Sequence, residues 1–403
     1  MTPLPLRILH VVPYYEQAWA YGGIPRLATT MTRALARRGH HVTVYTTDAR
    51  DASTRAASAT SPHHGVEVRM FPNVSNRLAY HLQFFTPIGL RARLKDTAAT
   101  FDIAHLHACH NLPGVIAAAE LSRAGVPYVV SPNGTARPIE RRVATKRLFA
   151  LTLGRRMLAE ASRVVAVSRA EAAQLGTLGV DARSLALIPN PIDEGEFERM
   201  PDGARFRATL GVGPRPLLLF LGKLTPRKGV DHLVRAFSAL DRSDAVLVVA
   251  GNDMGAGPVV DALVRSLNLE RRVFRPGLLT GSDRLDALAA ADVVAYPSRE
   301  EIFGLVALEA LLCGTPVVVC DDSGCAEVIL ATGGGLVVPH GNPQALSQAM
   351  ASILMNERLW RRRAVEAGTV ARRLFGTDVV CGQLESLYSS VLADNVGDRR
   401  MPA

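Results

Sequence analysis

The sequence predicts an α/β protein made of two doubly wound parallel-sheet domains, on three observations. Short β-branched runs alternate with helical patterns along nearly the whole chain, and such alternation implies parallel sheets covered by helices on both faces. The pattern pauses once, at "NPIDEGEFERMPDGARFRATLGVGPRP" (190–216), where Pro, Gly and charge accumulate as they do between domains. The length, 403 residues, exceeds one ordinary core and suits two.

In the first half the apolar runs place strands at 7–12, 41–47, 66–71, 103–107, 128–132, 163–168 and 185–189. Between the first two lies "IPRLATTMTRALARRG" (24–39). Its apolar residues recur at three- and four-residue steps, and Gly39 fits a helix stop. Residues 49–64, "ARDASTRAASATSPHH", read as a mobile loop. Strands resume at 217–222, 245–251, 272–276, 292–297, 316–320 and 335–339. Near the end Val379, Val380, Leu384, Leu387, Tyr388, Val391 and Leu392 form one helical stripe that must be buried somewhere. The expected boundaries are an N-terminal domain at 1–192, a linker at 193–215, a C-terminal domain at 216–375, a helix at 376–395 crossing back to the first domain, and a tail at 396–403. Two such domains predict a cleft, with ligands at the carboxyl ends of strands.

Composition narrows the class. The five cysteines, at 109, 313, 320, 325 and 381, form no CxxC pair and no His/Cys ligand spacing, which points to a reducing compartment without structural zinc. The N-terminus "MTPLPLRILHVVPYY" lacks a small-residue cleavage site and reads as a first strand. No apolar stretch reaches membrane-spanning length, so a cytoplasmic protein is expected. Charge is uneven: residues 1–192 hold 23 basic and 11 acidic side chains, a surplus of 12, whereas 193–403 hold 23 and 26. A basic half suits an anionic partner, and solvated Arg-rich helices explain it equally. The basic segment "RRVATKRLFALTLGRR" (141–156) suggests docking at an anionic membrane face; an ordinary packed helix is the other reading.

The chemistry concentrates after strands. "Glu301-Ile-Phe-Gly-Leu" follows strand 292–297 and opens a helix. The backbone amides of Ile302, Phe303, Gly304 and Leu305 would then be unpaired donors at a positive helix end, a seat for an anion. Glu309 lies about one turn further in. Carboxylates so spaced reach different hydroxyls of one polyol, unless Glu301 merely caps the helix and Glu309 is solvated. The chain has only four lysines, and two of them, Lys223 and Lys228, lie in "GKLTPRKG" (222–229) directly after a strand. An ammonium is a point-charge phosphate binder; a solvated loop is the bland alternative. The spacing is not that of a Walker A loop. Gly22 and Gly23 precede the first helix and let backbone approach a ligand, or make a plain turn. His105 and His107 share one face of their strand. No carboxylate or thiol pair completes a zinc set around them, so one is expected to hydrogen-bond substrate and the other to pack. No Asp-x-Asp motif offers a carboxylate pair for a diphosphate-bound cation.

Together these residues resemble the family 4 retaining glycosyltransferases of the GT-B fold. The resemblance covers nearly the whole chain: "YGGIPRLATTMTRALARRGHHVTVYTTDA", "AHLH", "IPNPID", "GKLTPRKG", and Glu301-x7-Glu309 with "CGTPVV". It implies two Rossmann-like domains facing across a cleft. It implies sugar transfer from a nucleotide-sugar donor, UDP-sugar favoured, to a hydroxyl of a glycan, glycolipid or small molecule. Anomeric configuration would be retained, with no metal and no other cofactor. By resemblance, Ile302 to Leu305 with Lys223 and Lys228 hold the diphosphate, Glu309 the ribose, and Glu301 the donor sugar hydroxyls. Gly22 and Gly23 close over the phosphates, and His107 stands near the reacting sugar. The base meets backbone around "VFRPG" (273–277), at Arg275 and Pro276. The family often has Arg where Lys223 stands. Two other readings remain: a nucleotide-sugar epimerase of similar shape, and a basic nucleic-acid-binding protein. The latter lacks a zinc finger, an aromatic stacking motif or a basic repeat, so no nucleic-acid partner is expected.

Overall fold

The computed structural model describes residues 4–16, 18–57, 64–82, 84–137, 154–199 and 201–398. The chain divides into two compact units, Met1–Pro191 with Thr377–Ala403, and Ile192–Gly376.

Unit 1 is a seven-stranded parallel sheet in the order β3-β2-β1-β4-β5-β6-β7. Its strands are β1 (Arg7–Val11), β2 (His41–Thr47), β3 (Val66–Phe71), β4 (Ile103–His107), β5 (Tyr128–Ser131), β6 (Arg163–Ala166) and β7 (Leu185–Leu187). Helices α1 (Gly23–Arg37), α2 (Asn76–Leu82), α3 (Leu90–Thr97), α4 (Leu112–Ala124), α5 (Arg155–Ala159) and α6 (Arg169–Thr177) connect them. Side chains alternate across the sheet: Leu9, Val11, Ala104 and Leu106 pack on one face, Ile8, Val12, Ile103 and Val129 on the other. Both faces are covered, so the strands read as near-continuous apolar runs. The chain order reverses between β1 and β4.

Unit 2 repeats the plan with six parallel strands in the order β10-β9-β8-β11-β12-β13. These are β8 (Leu217–Leu221), β9 (Val246–Ala250), β10 (Val273–Gly277), β11 (Val293–Tyr296), β12 (Val317–Cys320) and β13 (Gly335–Val338). The helices are α7 (Gly203–Leu210), α8 (Val230–Ser238), α9 (Gly257–Ser266), α10 (Gly281–Ala290), α11 (Leu305–Leu312), α12 (Gly324–Thr332), α13 (Pro343–Met355) and α14 (Glu357–Phe375). The reversal here falls between β8 and β11.

Three expectations are corrected. Residues 193–215 are part of unit 2, not a bare linker: Phe206 on α7 is buried in that unit's core, and Arg205 and Arg207 pair with Asp286 and Asp292. Charges that composition reads as linker are there anchored partners. Of the loop expected to be mobile, residues 49–57 form a hydrogen-bonded turn, in which Asp51 accepts from the Ser53 and Thr54 amides at 2.8 and 2.7 Å and Arg55 pairs with Asp48 at 2.6 Å; residues 58–63 lie outside those described. The helix after Glu301 begins only at Leu305, because Gly304 adopts φ 75° and interrupts it. Of the basic segment, residues 141–153 lie outside those described. No described helix is long and apolar enough to cross a membrane.

The last helix, α15 (Thr377–Asp398), belongs to unit 1. Val380, Leu384, Tyr388 and Val391 pack among Ile8, Val44, Ile103 and Val129. Arg38 donates from Nε and Nη2 to Glu385 at 2.7 and 2.8 Å, and His40 joins the same carboxylate at 3.0 Å. The hydrogen bond from Arg38 leads the effects that hold Glu385 below the usual carboxylate range. Leu384 is fully buried, so Leu384→Ala should lower stability by about 2–5 kcal/mol. An unchanged urea midpoint would show that the stripe does not anchor the helix.

Candidate active site

In open parallel sheets ligands bind where the strand order reverses, beyond the carboxyl ends of the flanking strands. In unit 2 those strands are β8 and β11, and their following loops carry Lys228 and Glu301. Residues Pro226–Lys228 form a single 3-10 turn ended by Gly229 at φ 63°. A Cβ on Gly229 would lie 2.5 Å from the Pro297 carbonyl oxygen, so only glycine lets the two loops approach this closely. The loop after β11 is likewise pinned. Gly304 leaves no room for a Cβ against Cys325 Sγ, and the Gly324 amide donates to the Glu301 carbonyl at 2.6 Å.

The closeness of the loops produces a buried ion pair. Lys228 donates to Glu301 Oε2 and to the Tyr296 hydroxyl. The same Oε2 accepts from Ser298 Oγ at 3.0 Å, from Tyr296 at 3.4 Å and from Arg227 at 3.5 Å. Burial alone would raise the Glu301 pKa, but Lys228, then Arg227 and the hydrogen bonds outweigh it and set it at about 2. Burial, chiefly, drives Tyr296 well above its ordinary value, so it stays a phenol. Two consequences follow. An ammonium has three donors, and Glu301 and Tyr296 take two, leaving one. Glu301 Oε1 has no partner among the described residues, leaving one carboxylate oxygen for a ligand hydroxyl.

The amides of Ile302, Phe303 and Gly304 have no protein acceptor among the described residues. They belong to the turn before α11, with Leu305 as its first residue; the side chains of Ile302 and Phe303 are buried. Lys223 is half-buried in the loop after β8. Glu309 is not a solvated carboxylate: it is buried and paired with Arg284, which also binds Glu196. A ribose contact at Glu309 would therefore share its carboxylate with a guanidinium. Arg275 and Pro276 are exposed and bulge from β10, whose register with β9 shifts between Phe274 and Gly277. The Arg275 side chain is tied to Asp261 of α9, so any base contact there falls to backbone. Sequence reading missed Arg227, Tyr296, Ser298 and Arg284. Arg227 lay inside the lysine loop, and Tyr296 ended the strand before Glu301; Arg284 carried no local signal.

In unit 1 the reversal falls between β1 and β4, and it carries three fully buried histidines: His10, His105 and His107. His105 engages both ring nitrogens, Nδ1 with Tyr388 Oη and Nε2 with Ser131 Oγ, each at 2.7 Å. His107 Nε2 lies 2.9 Å from His10 Nδ1. One ring nitrogen from each of the three lies within 4.8 Å of the others, but His105 could bind a metal only by giving up Tyr388 or Ser131. Gly22, at φ 104°, caps α1 at Gly23 after the loop from β1. Ala108 and His110 after β4, and Asn133 after β5, hold positive φ, a strain that clusters at functional strand ends.

Burial lowers the pKa of His107 to about 3 and puts His105 and His10 well below 6.5. Unfolded imidazoles protonate near 6.5, so stability present above that pH drains as pH falls toward the folded values. Burial also raises Glu171 to about 7, which acts oppositely between about 7 and 4.5. Each group is worth about 1.4 kcal/mol per pH unit; with three against one, we expect a net loss below pH 6, before the Glu301 pair protonates. Thermal melts from pH 7.5 to 4.5 test this, and a flat Tm would refute it.

Residues 21–196 match Glycosyltransferase Family 4 and residues 204–370 match Glycosyl transferases group 1. The D-inositol 3-phosphate glycosyltransferase of Kineococcus radiotolerans is 31% identical over 410 residues, covering 94% of this chain and 92% of that protein. The enzyme of the same name from Actinosynnema mirum is 31% identical over 390 residues, covering 91% and 92%. Among solved structures, Anabaena Alr3699/HepE in complex with UDP and glucose is similar at TM-score 0.78 and 22% identity, over 96% of this chain and all of that one (100%). Sucrose-phosphate synthase from Thermosynechococcus elongatus is similar at TM-score 0.75 and 22% identity, over 96% and 99%. With two parallel-sheet units of this plan and relatives matched nearly end to end, the chain belongs to glycosyltransferase family 4 and is a glycosyltransferase of GT-B fold.

Proposed function

We propose that this enzyme moves a sugar from a nucleoside-diphosphate donor, UDP-sugar favoured, to an acceptor hydroxyl, with retention and without a metal. The observation that carries the reading is the Lys228–Glu301 pair at the strand reversal of unit 2, with one ammonium donor and one carboxylate oxygen left over. Transfer breaks the bond between the anomeric carbon and the diphosphate oxygen and forms one to the acceptor oxygen. Negative charge grows on the departing diphosphate. The remaining Lys228 donor, Lys223, and the amides of Ile302 to Leu305 stabilise it as fixed dipoles and charges do. Glu301 Oε1 accepts from a donor sugar hydroxyl, and His107 contacts the reacting sugar. In a front-face retaining transfer the acceptor's proton passes to the leaving phosphate oxygen, which removes the need for a protein base.

The UDP bound in the similar Anabaena protein supports the choice of a uridine donor. Among glycan, glycolipid and small-molecule acceptors, the relatives named for D-inositol 3-phosphate favour a small phosphorylated polyol. A nucleotide-sugar epimerase would convert the donor with no acceptor added, and product analysis separates the two.

Lys228→Ala and Glu309→Ala should each weaken donor binding by about 10- to 100-fold, the value of a charged hydrogen bond, with the fold intact. Calorimetry with a panel of nucleoside diphosphates measures this; equal affinity in both variants would refute the donor site. Turnover should persist in excess chelator. Loss restored only by a divalent ion would contradict the metal-free mechanism.

A further inference from the structure

We infer that the loop after β3, residues 72–88, is a docking surface for an anionic lipid membrane, with Val74, Leu78, Phe84 and Ile88 entering the acyl boundary and the basic side chains around them meeting the headgroups. The surface lies wholly in unit 1 and is independent of the donor site.

The loop leaves β3, forms α2 and returns to α3. Its two ends pair: Asn73 bridges Pro87 in antiparallel fashion, the Val74 amide donates to the Thr86 carbonyl at 3.2 Å, and the Ile88 amide to the Pro72 carbonyl at 2.9 Å. Side chains alternate across such a pairing. Asn73 points inward and is buried, and its Oδ1 accepts from the Thr86 amide at 2.7 Å. Val74 and Ile88 are therefore turned out together. Below them Ala79 and Phe85 are buried with Tyr14 and Tyr21, and Tyr80 meets Tyr21 edge-on. The interior positions are filled, yet large apolar side chains remain outside. Phe85 is 1% exposed and its neighbour Phe84 51%; Leu78 and Val74 are at 42% and 61%. Sixteen large hydrophobic side chains are exposed among the described residues, and four of them fall between Val74 and Ile88, so their grouping is not the scatter expected of a monomer surface. Leu78 follows Val74 by four residues across the start of α2, and its carbonyl accepts from the Phe84 amide at 3.4 Å. A grouped apolar surface of this kind marks an interaction site.

Charge selects the occupant. From Val68 to Lys95 the chain has no Asp or Glu, but it has Arg69, Arg77, Arg91, Arg93 and Lys95. Arg77 and Lys95 are exposed and form no ion pair among the described residues. Arg91, three residues after Ile88, shares the single buried carboxylate of Glu120 with Arg123, so that cluster keeps a positive charge. A second copy of the chain is a poor occupant, because a two-fold contact would set these like charges against each other. An acidic protein would answer the charge, but three of the four exposed apolar side chains are aliphatic, not the Trp, Tyr and Arg anchors on which protein interfaces depend. Aliphatic and phenyl groups interleaved with Arg and Lys, without acids, suit the headgroup boundary of an anionic bilayer.

Cosedimentation of the full chain with vesicles tests this. We expect binding to vesicles of phosphatidylcholine with phosphatidylglycerol, weakened by salt, and little binding to phosphatidylcholine alone. Arg77→Ala and Lys95→Ala should each weaken it about 5-fold, the value of one basic side chain at such a surface. Phe84→Ser combined with Ile88→Ser should weaken it about 100-fold, with melting temperature and donor affinity unchanged, since both side chains are exposed and outside the donor site. No binding of the wild type to the anionic vesicles, or equal binding by the double variant, overturns the proposal. Binding to polyglutamate but not to the vesicles would assign the surface to an acidic protein and overturn it likewise. So would a dimer in lipid-free ultracentrifugation that the double variant dissociates, which would assign the surface to a second copy.

Discussion

The contact on which the strand-reversal site of unit 2 depends is the buried ion pair between Lys228 and Glu301. Such a pair is not a cheap source of stability, because removing two charges from water costs about as much as their attraction returns. Its value lies in placement. Among the described residues, all donors to the Glu301 carboxylate converge on Oε2, which leaves Oε1 unengaged and the carboxylate ionised. The same contacts fix the ammonium and leave it one donor. A pair satisfied at every atom would be an anchor; this one retains a valence on each side.

The backbone around the pair is built to hold it. Gly229 and Gly304 occupy left-handed conformations where a side chain would strike Pro297 or Cys325, and Glu300 between them is held at φ 48°. Positive φ in a glutamate is unfavourable and persists only where the surroundings over-determine it. Here those surroundings are the Arg227 contacts to the Arg299 and Glu300 carbonyls at 3.3 and 3.4 Å and the Gly324 amide on the Glu301 carbonyl. Loops tied at this many points hold the Glu301 carboxylate to the narrow placement that positioning demands.

Much of this was legible before the structure. The strands are short apolar runs because parallel sheets bury both faces, and the lysine loop and Glu301 each follow a strand directly, so their meeting followed from topology. What escaped was contact made through space without a local pattern. His10 lies inside "RILHVV" and reads as one polar interruption of a strand; only the β1–β4 register turns it into a partner of His107. Arg284 reaches Glu309 from another helix, and nothing in either segment signals the other. The true start of α11 was misread because glycine is compatible with a helix in sequence and becomes a break only at φ 75°. Residues 193–215 read as a linker because paired and solvated charges are identical in composition.

The two units present opposite chemistries at equivalent positions of equivalent sheets. At the β8–β11 reversal the groups are charged, and the Glu301 carboxylate is held ionised to about pH 2. At the β1–β4 reversal they are neutral imidazoles, with burial lowering His107 to about 3. Fixed positive charge and dipoles in a dry site, as at the first reversal, are what best meets a developing negative charge. Complete burial keeps the histidine stack uncharged near the pH at which free imidazole titrates.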